Sequence, residues 1–201
     1  GDKSISHRSI IIPSISNGVC EISNILKSED VMHTLNAFRT MGVKIDENNE
    51  KLLVYGKGLN SLNKPKKDIY LGNSGTSARL LTGLLSSQKF DSVLKGDESL
   101  SKRPMKRISE PLAQMNARII TSNGSLPVLI QGNKLLSGNI NLKIPSAQIK
   151  SGILLASLNT QGETEITEHK ITRDHTEIML EAFGANIKIK KNEGKKIIKI
   201  V

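Results

Sequence analysis

Residues 71–79, Leu-Gly-Asn-Ser-Gly-Thr-Ser-Ala-Arg, combine small, hydroxylated and cationic side chains and lead directly into an apolar helical pattern. The start of a helix exposes unpaired backbone N–H groups and the positive end of the helix dipole, so it can hold an anion. Glycines let the backbone approach a ligand closely, hydroxyl groups donate hydrogen bonds, and Arg79 adds a forked cation. Taken alone, the segment fits an ordinary capped helix with a surface arginine equally well.

This arrangement occurs three times along the chain. Helical segments begin at Ser4, Ser74 and Ser146, and the cations that follow them by four or five residues are Arg8, Arg79 and Lys150. A second amphipathic pattern follows in each case, at residues 30–41, 103–115 and 174–183, and ends in Met-Gly-Val, Met-Asn-Ala or Phe-Gly-Ala. Gly or Asn at such a junction suits a left-handed helix C-cap. We therefore predict three copies of one supersecondary unit, at about residues 1–70, 71–140 and 141–201, with their helix N-termini binding a small anion.

Strands and two kinds of helix alternate in the predicted units. Strand patterns cover residues 52–55, 140–144, 187–190 and 197–201, and the last two form a hairpin around residues 192–194. The segment at residues 149–158 is apolar almost all round, which predicts burial, whereas a helix with one apolar stripe should cover a sheet. These patterns predict a mixed α and β fold, in which sheets enclose helices, and they favour a single domain of three repeats.

The composition narrows the classes of site and partner. The 201 residues carry 29 Lys and Arg against 19 Asp and Glu, a formal charge of +10. Only 2% of the residues are aromatic, which disfavours a platform for single-stranded nucleic acid, so a small anionic ligand explains the charge better. Cys20 is expected to be a buried small hydrophobe, and the four histidines lack metal-ligand spacing, so we expect no disulfide and no metal site. The sequence has no Walker or dinucleotide motif, transmembrane run or signal peptide.

Five motifs occur in order along almost the whole chain. They are GDKSISHR at residues 1–8, LGNSGTSAR at 71–79, DESLSKRPM at 97–105, PSAQIKS at 145–151 and TRDHTE at 172–177. Together they closely resemble the family of enolpyruvylshikimate-phosphate (EPSP) synthases, the 3-phosphoshikimate 1-carboxyvinyltransferases of the shikimate pathway. The resemblance implies a cytoplasmic bacterial transferase that moves the enolpyruvyl group of phosphoenolpyruvate to shikimate-3-phosphate (3-phosphoshikimate) without a cofactor.

The resemblance also implies an architecture. The family has two similar domains, each an inside-out α/β barrel, or prism, of three βαββαβ units, with the active site in the cleft between them. The chain starts inside the first motif and resembles the N-terminal domain alone. We therefore expect that the C-terminal partner domain is absent and that the chain by itself does not turn over substrate.

Individual residues take roles by the same resemblance. Shikimate-3-phosphate would be bound by Lys3, Ser4, Arg8, Ser146, Ala147, Gln148, Thr172 and Arg173. Phosphoenolpyruvate would contact Lys3, Gly75, Thr76, Arg103 and Gln148, with Asn73 and Arg79 supporting that loop. Lys3 is the catalytic candidate, because it would lie between both substrates and stabilise developing charge or assist proton transfer. His7 and His175 have no predicted role, whereas Gln148 in an apolar helix needs hydrogen-bond partners, which favours a pocket.

Two other functions share this architecture. The enolpyruvyl transferase that acts on UDP-N-acetylglucosamine typically has a cysteine in the loop matching residues 96–103, and this loop has none. An RNA 3′-phosphate cyclase, or a basic RNA-binding module, would instead bind RNA in a salt-dependent manner. We expect neither a nucleic-acid nor a membrane partner. The response to glyphosate stays open, since residues 147–150 and 173–177 resemble tolerant enzymes and Gly75 resembles sensitive ones.

Overall fold

The computed structural model describes residues 1–48, 50–192 and 194–201, which form seven helices and eleven strands. The helices are α1 (Lys3–Ser14), α2 (Glu29–Thr40), α3 (Gly75–Ser86), α4 (Glu98–Ser101), α5 (Lys106–Ala113), α6 (Ala147–Ser157) and α7 (His175–Ala182). The strands are β1 (Asn17–Ile22), β2 (Lys44–Asn48), β3 (Lys51–Lys57), β4 (Ile69–Tyr70), β5 (Ser92–Lys95), β6 (Arg118–Ser122), β7 (Ser125–Gln131), β8 (Asn139–Leu142), β9 (Thr164–Glu168), β10 (Ile187–Asn192) and β11 (Lys195–Ile200). The predicted strands correspond to β3, β8, β10 and β11, and Glu193 of the predicted turn lies outside the described residues.

Each repeat contributes one sheet. Within the described residues the strand orders are β1-β3-β2, β4-β5-β7-β6 and β8-β9-β11-β10. The first sheet has three strands, and they are arranged like the last three strands of each four-stranded sheet. In the second and third sheets the first two strands pair in parallel, and the other pairs are antiparallel. A parallel pair needs a crossover, here a helix, whereas the last two strands form an antiparallel hairpin. The element order of the third repeat, and of the second apart from the short helix α4, is therefore βαβαββ, which corrects the predicted order βαββαβ.

Helices α1, α3 and α6, called the inner helices below, are mostly buried. The burial predicted for residues 149–158 is confirmed in α6. At the contact between α3 and α6, a Cβ atom built on Gly83 would lie 1.9 Å from the carbonyl oxygen of Gly152. Glycine at this crossing therefore allows the two backbones to approach each other closely. One cluster of buried apolar side chains includes residues from all three repeats, so the repeats share a core.

The outer helices α2, α5 and α7 end in the same way. Each is followed by a residue with positive φ; these are Gly42 at 87°, Asn116 at 66° and Gly184 at 92°. The next residue donates its N–H to a carbonyl five residues earlier, in the bonds Val43 to Phe38, Ala117 to Leu112 and Ala185 to Leu180. These are the left-handed C-caps predicted from the sequence, and they turn each helix into a strand.

The inner helices differ at their N-termini. Ser74 and Ser146 cap α3 and α6, because their hydroxyl oxygens accept hydrogen bonds from backbone N–H groups three residues later. The first inner helix is capped instead by Asp2, whose Oδ1 atom accepts from the N–H of Ile5 at 2.9 Å. Ser4 therefore lies inside the first turn of α1 and not at its start. Its hydroxyl remains available for contacts with neighbouring helices.

Candidate anion-binding site

The first turns of the three inner helices meet at one cavity of about 320 Å³. The cavity is lined by Asp2, Lys3, Ser4, Arg8, Asp30, Gly75, Thr76, Arg103, Ala147, Gln148 and Arg173. Most of the residues assigned to the two substrates from the sequence are therefore together, although they come from all three repeats. Because three helix N-termini face this space, backbone dipoles as well as side chains favour an anion in it.

Gln148 joins α6 to α3 at the wall of the cavity. Its Nε2 donates to the Thr76 hydroxyl at 2.9 Å, and its Oε1 accepts from Arg79 Nη1 at 2.8 Å. The expectation that this amide needs partners in a pocket is confirmed. Arg79 also donates to the Gly75 carbonyl at 3.2 Å, so it supports the loop without lining the cavity.

Arg103 reaches the same loop from the opposite side. It lies in the turn between α4 and α5, outside the helix predicted for residues 103–115. The reason is that Pro104 disfavours helical backbone at the residue before it. Its Nη2 donates to the side-chain oxygen of Asn73. A Cβ atom on Gly75 would lie 3.0 Å from Arg103 Nη1 and 2.9 Å from Arg79 Nη1, so glycine admits both guanidinium groups. Burial, followed by the charges of Arg103 and Arg107, lowers the pKa of Arg79.

Arg8 is buried at the base of the cavity and held by hydroxyl groups. Its Nε donates to Thr176 at 2.6 Å, its Nη2 to Ser151 at 2.7 Å, and its Nη1 to the Oγ and carbonyl oxygens of Ser4 at 2.7 and 2.8 Å. Among the described residues, Arg8 donates only to hydroxyl and carbonyl oxygens and not to a carboxylate. Burial lowers the pKa of Arg8 to about 10, against the opposing charge of Glu177, so the guanidinium stays charged near neutral pH.

Lys3 and Asp30 form an ion pair at the cavity, with 2.5 Å between Lys3 Nζ and Asp30 Oδ2. Asp30 was not predicted from the sequence, where it resembles any acidic residue in a helix first turn. The other acid of the cavity is Asp2, and its hydrogen bond with the Ile5 N–H lowers the pKa of its carboxyl. Both carboxylates are thus engaged, one as an ion pair and one as a helix cap.

Three residues expected to bind an anion at the cavity do not line it. Ser146 caps α6 and does not line the cavity, and the Thr172 hydroxyl donates to Glu168 Oε1 at 2.5 Å instead of facing the cavity. The third repeat cation, Lys150, is not an anion-binding residue of the cavity, because its ammonium group is fully buried against Glu168 at 2.9 Å and Glu177 at 2.7 Å. Lys150 lies on the side of α6 that packs against β9 and α7. Its charge is therefore neutralised inside the protein.

Two further residues with reactive side chains, Cys20 and His175, do not line the cavity. Cys20, expected to be buried, is half-buried on β1, and this burial raises the pKa of its thiol. His175 Nδ1 is 3.2 Å from the Ser4 hydroxyl, a contact that the sequence did not predict. In the described part of the chain, no three His, Cys, Asp or Glu side chains cluster as a metal site would require. No helix among these residues combines the length and apolarity needed to cross a membrane.

The fold and the cavity define a repeated α/β protein in which helix N-termini and arginine side chains from all three repeats line one cavity. The family model for EPSP synthase (3-phosphoshikimate 1-carboxyvinyltransferase) matches residues 1–200, and the chain belongs to this family.

Relatives of the chain agree with this assignment. The 3-phosphoshikimate 1-carboxyvinyltransferase of Ruthia magnifica subsp. Calyptogena magnifica is 55% identical over 194 residues, which are 96% of this chain and 45% of that protein. The enzyme of the same name from Leuconostoc citreum is 49% identical over 192 residues, 94% of this chain and 44% of the relative. An EPSP synthase structure from Acinetobacter baumannii covers the whole chain with a TM-score of 0.93 and 50% identity, using 45% of its own length. The chain thus spans a little under half the length of the proteins it matches.

Proposed function

We propose that this chain forms the part of a carboxyvinyltransferase that binds shikimate-3-phosphate and one side of phosphoenolpyruvate. The observation that carries the proposal is the cavity at which the inner-helix N-termini, Arg8, Arg103 and Arg173 come together. Membership of the EPSP synthase family supports the choice of substrates and favours it over a UDP-N-acetylglucosamine transferase or an RNA-binding module. The reaction would join the enolpyruvyl group to a shikimate hydroxyl and release phosphate.

The shikimate-3-phosphate half of the proposal uses hydroxyl, amide and guanidinium groups. Ser4 and Gln148 would hydrogen-bond the ring hydroxyls, while Arg173 at the open side of the cavity would bind the phosphate. Arginine suits this role because its fork of N–H groups matches two phosphate oxygens. Arg8 has one N–H left after its four bonds to protein groups, so it would contribute mainly as a fixed charge beneath the ligand.

The phosphoenolpyruvate half uses the start of α3. Gly75 and Thr76, in the first turn of α3, line the cavity beside Arg103, and backbone N–H groups of this turn and the Thr76 hydroxyl would donate to the anion. Asn73 holds Arg103, and Arg79 holds Gln148, so the anion-binding groups are positioned before a ligand arrives. Such prearranged donors stabilise developing negative charge without reorganising during the reaction.

Lys3 is the proposed catalytic residue, and Asp30 orients it. The chemistry requires protonation of the methylene carbon of phosphoenolpyruvate and addition of the shikimate hydroxyl, which loses its proton. The tetrahedral intermediate then loses phosphate together with a proton of the new methyl group, which restores the enolpyruvyl double bond. The Lys3 ammonium, held by Asp30 at the cavity edge, would stabilise the charge that develops on the oxygens of that intermediate or pass a proton. We further propose that the remainder of a protein of the relatives' length covers this cavity and supplies the acid and cations that complete the site.

Arg173→Ala is expected to weaken shikimate-3-phosphate binding by about 1.5–3 kcal/mol, or roughly tenfold or more, because it removes a charged hydrogen-bond donor. An NMR titration of the 201-residue chain measures both the affinity and the location of the shifts. Arg118→Ala, at an exposed position of β6, is the matched control and should bind like the parent chain. Absence of binding at millimolar ligand, or shifts far from Ser4, Ser146 and Arg173, would contradict the proposed function.

The chain alone is expected to show no turnover with shikimate-3-phosphate and phosphoenolpyruvate. Both acids that line the cavity are engaged, Asp2 as a helix cap and Asp30 with Lys3, and the open cavity leaves the reacting atoms in water. A phosphate-release assay on the pure chain checks this. Robust turnover that disappears in Lys3→Ala would mean that the catalytic groups have been assigned to the wrong part of the protein.

A further inference from the structure

Four charged side chains form a buried cluster beneath residues 169–174. The cluster, called the buried charge cluster below, consists of Lys150, Glu168, Glu177 and Lys196, each no more than 1% exposed. Lys150 Nζ lies 2.9 Å from Glu168 Oε2 and 2.7 Å from Glu177 Oε1, and Lys196 Nζ lies 2.8 Å from the same Glu177 oxygen. Two ammonium groups thus balance two carboxylates in the interior of the third repeat.

Such a cluster stabilises a protein core less effectively than apolar side chains do. Removing charges from water costs free energy that their mutual attraction only partly returns, and apolar residues of similar volume often stabilise a protein as well or better. Ile166, two residues before Glu168 on the same inward face of β9, is apolar and fully buried. A charge at Glu168 therefore calls for a function other than packing.

Glu168 is the last residue of β9, and its second carboxylate oxygen points to the segment that follows. Glu168 Oε1 accepts a hydrogen bond from the Thr172 hydroxyl at 2.5 Å. Thr172 is partly buried, whereas its neighbours from His169 to Ile171, and Arg173 after it, are exposed. The hydrogen bond of the Thr172 side chain thus attaches the loop between β9 and α7 to the protein interior.

The attached segment carries a residue of the cavity. Arg173, directly after Thr172, lines the anion-binding cavity, while the other end of the segment leads into α7, where Thr176 accepts a hydrogen bond from Arg8. An arginine on an exposed loop loses side-chain and backbone freedom when it binds a phosphate. A loop that is already held in place loses less, so its arginine binds more tightly.

We propose that Glu168 and Thr172 are positioning residues that anchor residues 169–174 to the buried charge cluster and so hold Arg173 at the phosphate position. The proposal rests on the proposed function for the identity of the ligand. It changes the role given to Thr172 by resemblance, because the hydroxyl hydrogen of Thr172 is donated to Glu168 and is not free for a ligand. Lys150 holds Glu168 in place from the opposite side.

The test compares Thr172→Val, which removes the hydroxyl and leaves the four charges intact, with Thr172→Ser, which keeps the hydroxyl. Thr167→Val is the matched control, because Thr167 is on the same strand as Glu168 and on its opposite, half-exposed face. Glu168→Gln and the double variant Glu168→Gln/Thr172→Val show whether the two residues act through each other. Backbone ¹⁵N order parameters of residues 170–174 are measured without ligand, and shikimate-3-phosphate affinity is measured separately.

In Thr172→Val we expect the order parameters of residues 170–174 to fall from the rigid range, near about 0.85, toward the flexible range below about 0.6. Affinity should fall roughly tenfold, the usual result of losing one charged hydrogen bond. Thr172→Ser and Thr167→Val should match the parent chain in both measurements. The double variant should bind no more weakly than the weaker single variant, because both remove the same anchor.

The outcomes separate this inference from the proposed function. Unchanged order parameters in Thr172→Val would overturn the anchor, whether or not Glu168→Gln folds. If the parent chain fails to bind shikimate-3-phosphate, the proposed function fails, and the order parameters still decide the anchor. Lower order parameters with unchanged affinity would show that the anchor exists but does not position Arg173, which also overturns the inference.

Discussion

Gly83→Ala is expected to destabilise the chain by about 3 kcal/mol, although alanine is by itself the better helix former by about 1 kcal/mol. The added Cβ would lie 1.9 Å from the carbonyl oxygen of Gly152, and this atom belongs to the backbone of α6. A backbone atom cannot rotate away as a side-chain terminus can. The two inner helices must therefore move apart, and the core around them loses contacts.

The same displacement should weaken ligand binding. Gln148 on α6 is hydrogen-bonded to Thr76 and Arg79 on α3, so a wider spacing of the helices strains both bonds at the cavity. Urea unfolding gives the free-energy change, and a shikimate-3-phosphate titration gives the affinity. Gly138→Ala is the control, since nothing lies within 4 Å of its added Cβ, and it should be close to neutral. A Gly83→Ala chain as stable as the parent would mean that α3 and α6 do not pack this closely.

Acidification is expected to reduce the free energy of unfolding through His7. This side chain is fully buried in α1, with Nδ1 at 2.7 Å from the Thr34 hydroxyl and Nε2 without a partner among the described atoms. Burial lowers the pKa of His7 from 6.5 to about 4, and the charges of Lys3 and Arg8 act in the same direction, against Asp30. Between these two pH values the unfolded chain binds a proton that the folded chain does not. The contribution of the neutral His7 side chain to the free energy of unfolding is therefore present above pH 6.5 and is lost as the pH falls toward 4.

The expected loss from this one residue is about 2 kcal/mol by pH 5 and about 3 kcal/mol by pH 4. Carboxylates also titrate in this range, so the measured quantity is the difference in pH dependence between the parent chain and His7→Gln, from urea unfolding at several pH values. His169→Gln, which makes the same substitution at an exposed position, is the control for the loss of a histidine. Equal pH dependence in the parent and His7→Gln would contradict a buried neutral imidazole.

The sequence by itself determined those features whose causes act over a few residues. The Gly or Asn after each outer helix predicts a left-handed C-cap, because only the local backbone decides whether such a residue is needed, and all three caps are present. The apolar character of residues 149–158 predicts burial for the same reason. Ordered motifs were enough to indicate the family, and with it most of the residues that line the cavity.

Tertiary structure decided where side chains of similar local sequence point. Arg8 and Lys150 follow their serines at the same spacing, yet Arg8 lines the cavity and Lys150 is buried with Glu168 and Glu177. The Lys150 partners come from β9 and α7, so only the packing of those elements on α6 determines its direction. Asp30 at the cavity and the attachment of Thr172 to Glu168 depend in the same way on contacts that local sequence patterns do not encode. Helix and turn signals are local, whereas the direction of a buried charge is set by the neighbours that neutralise it.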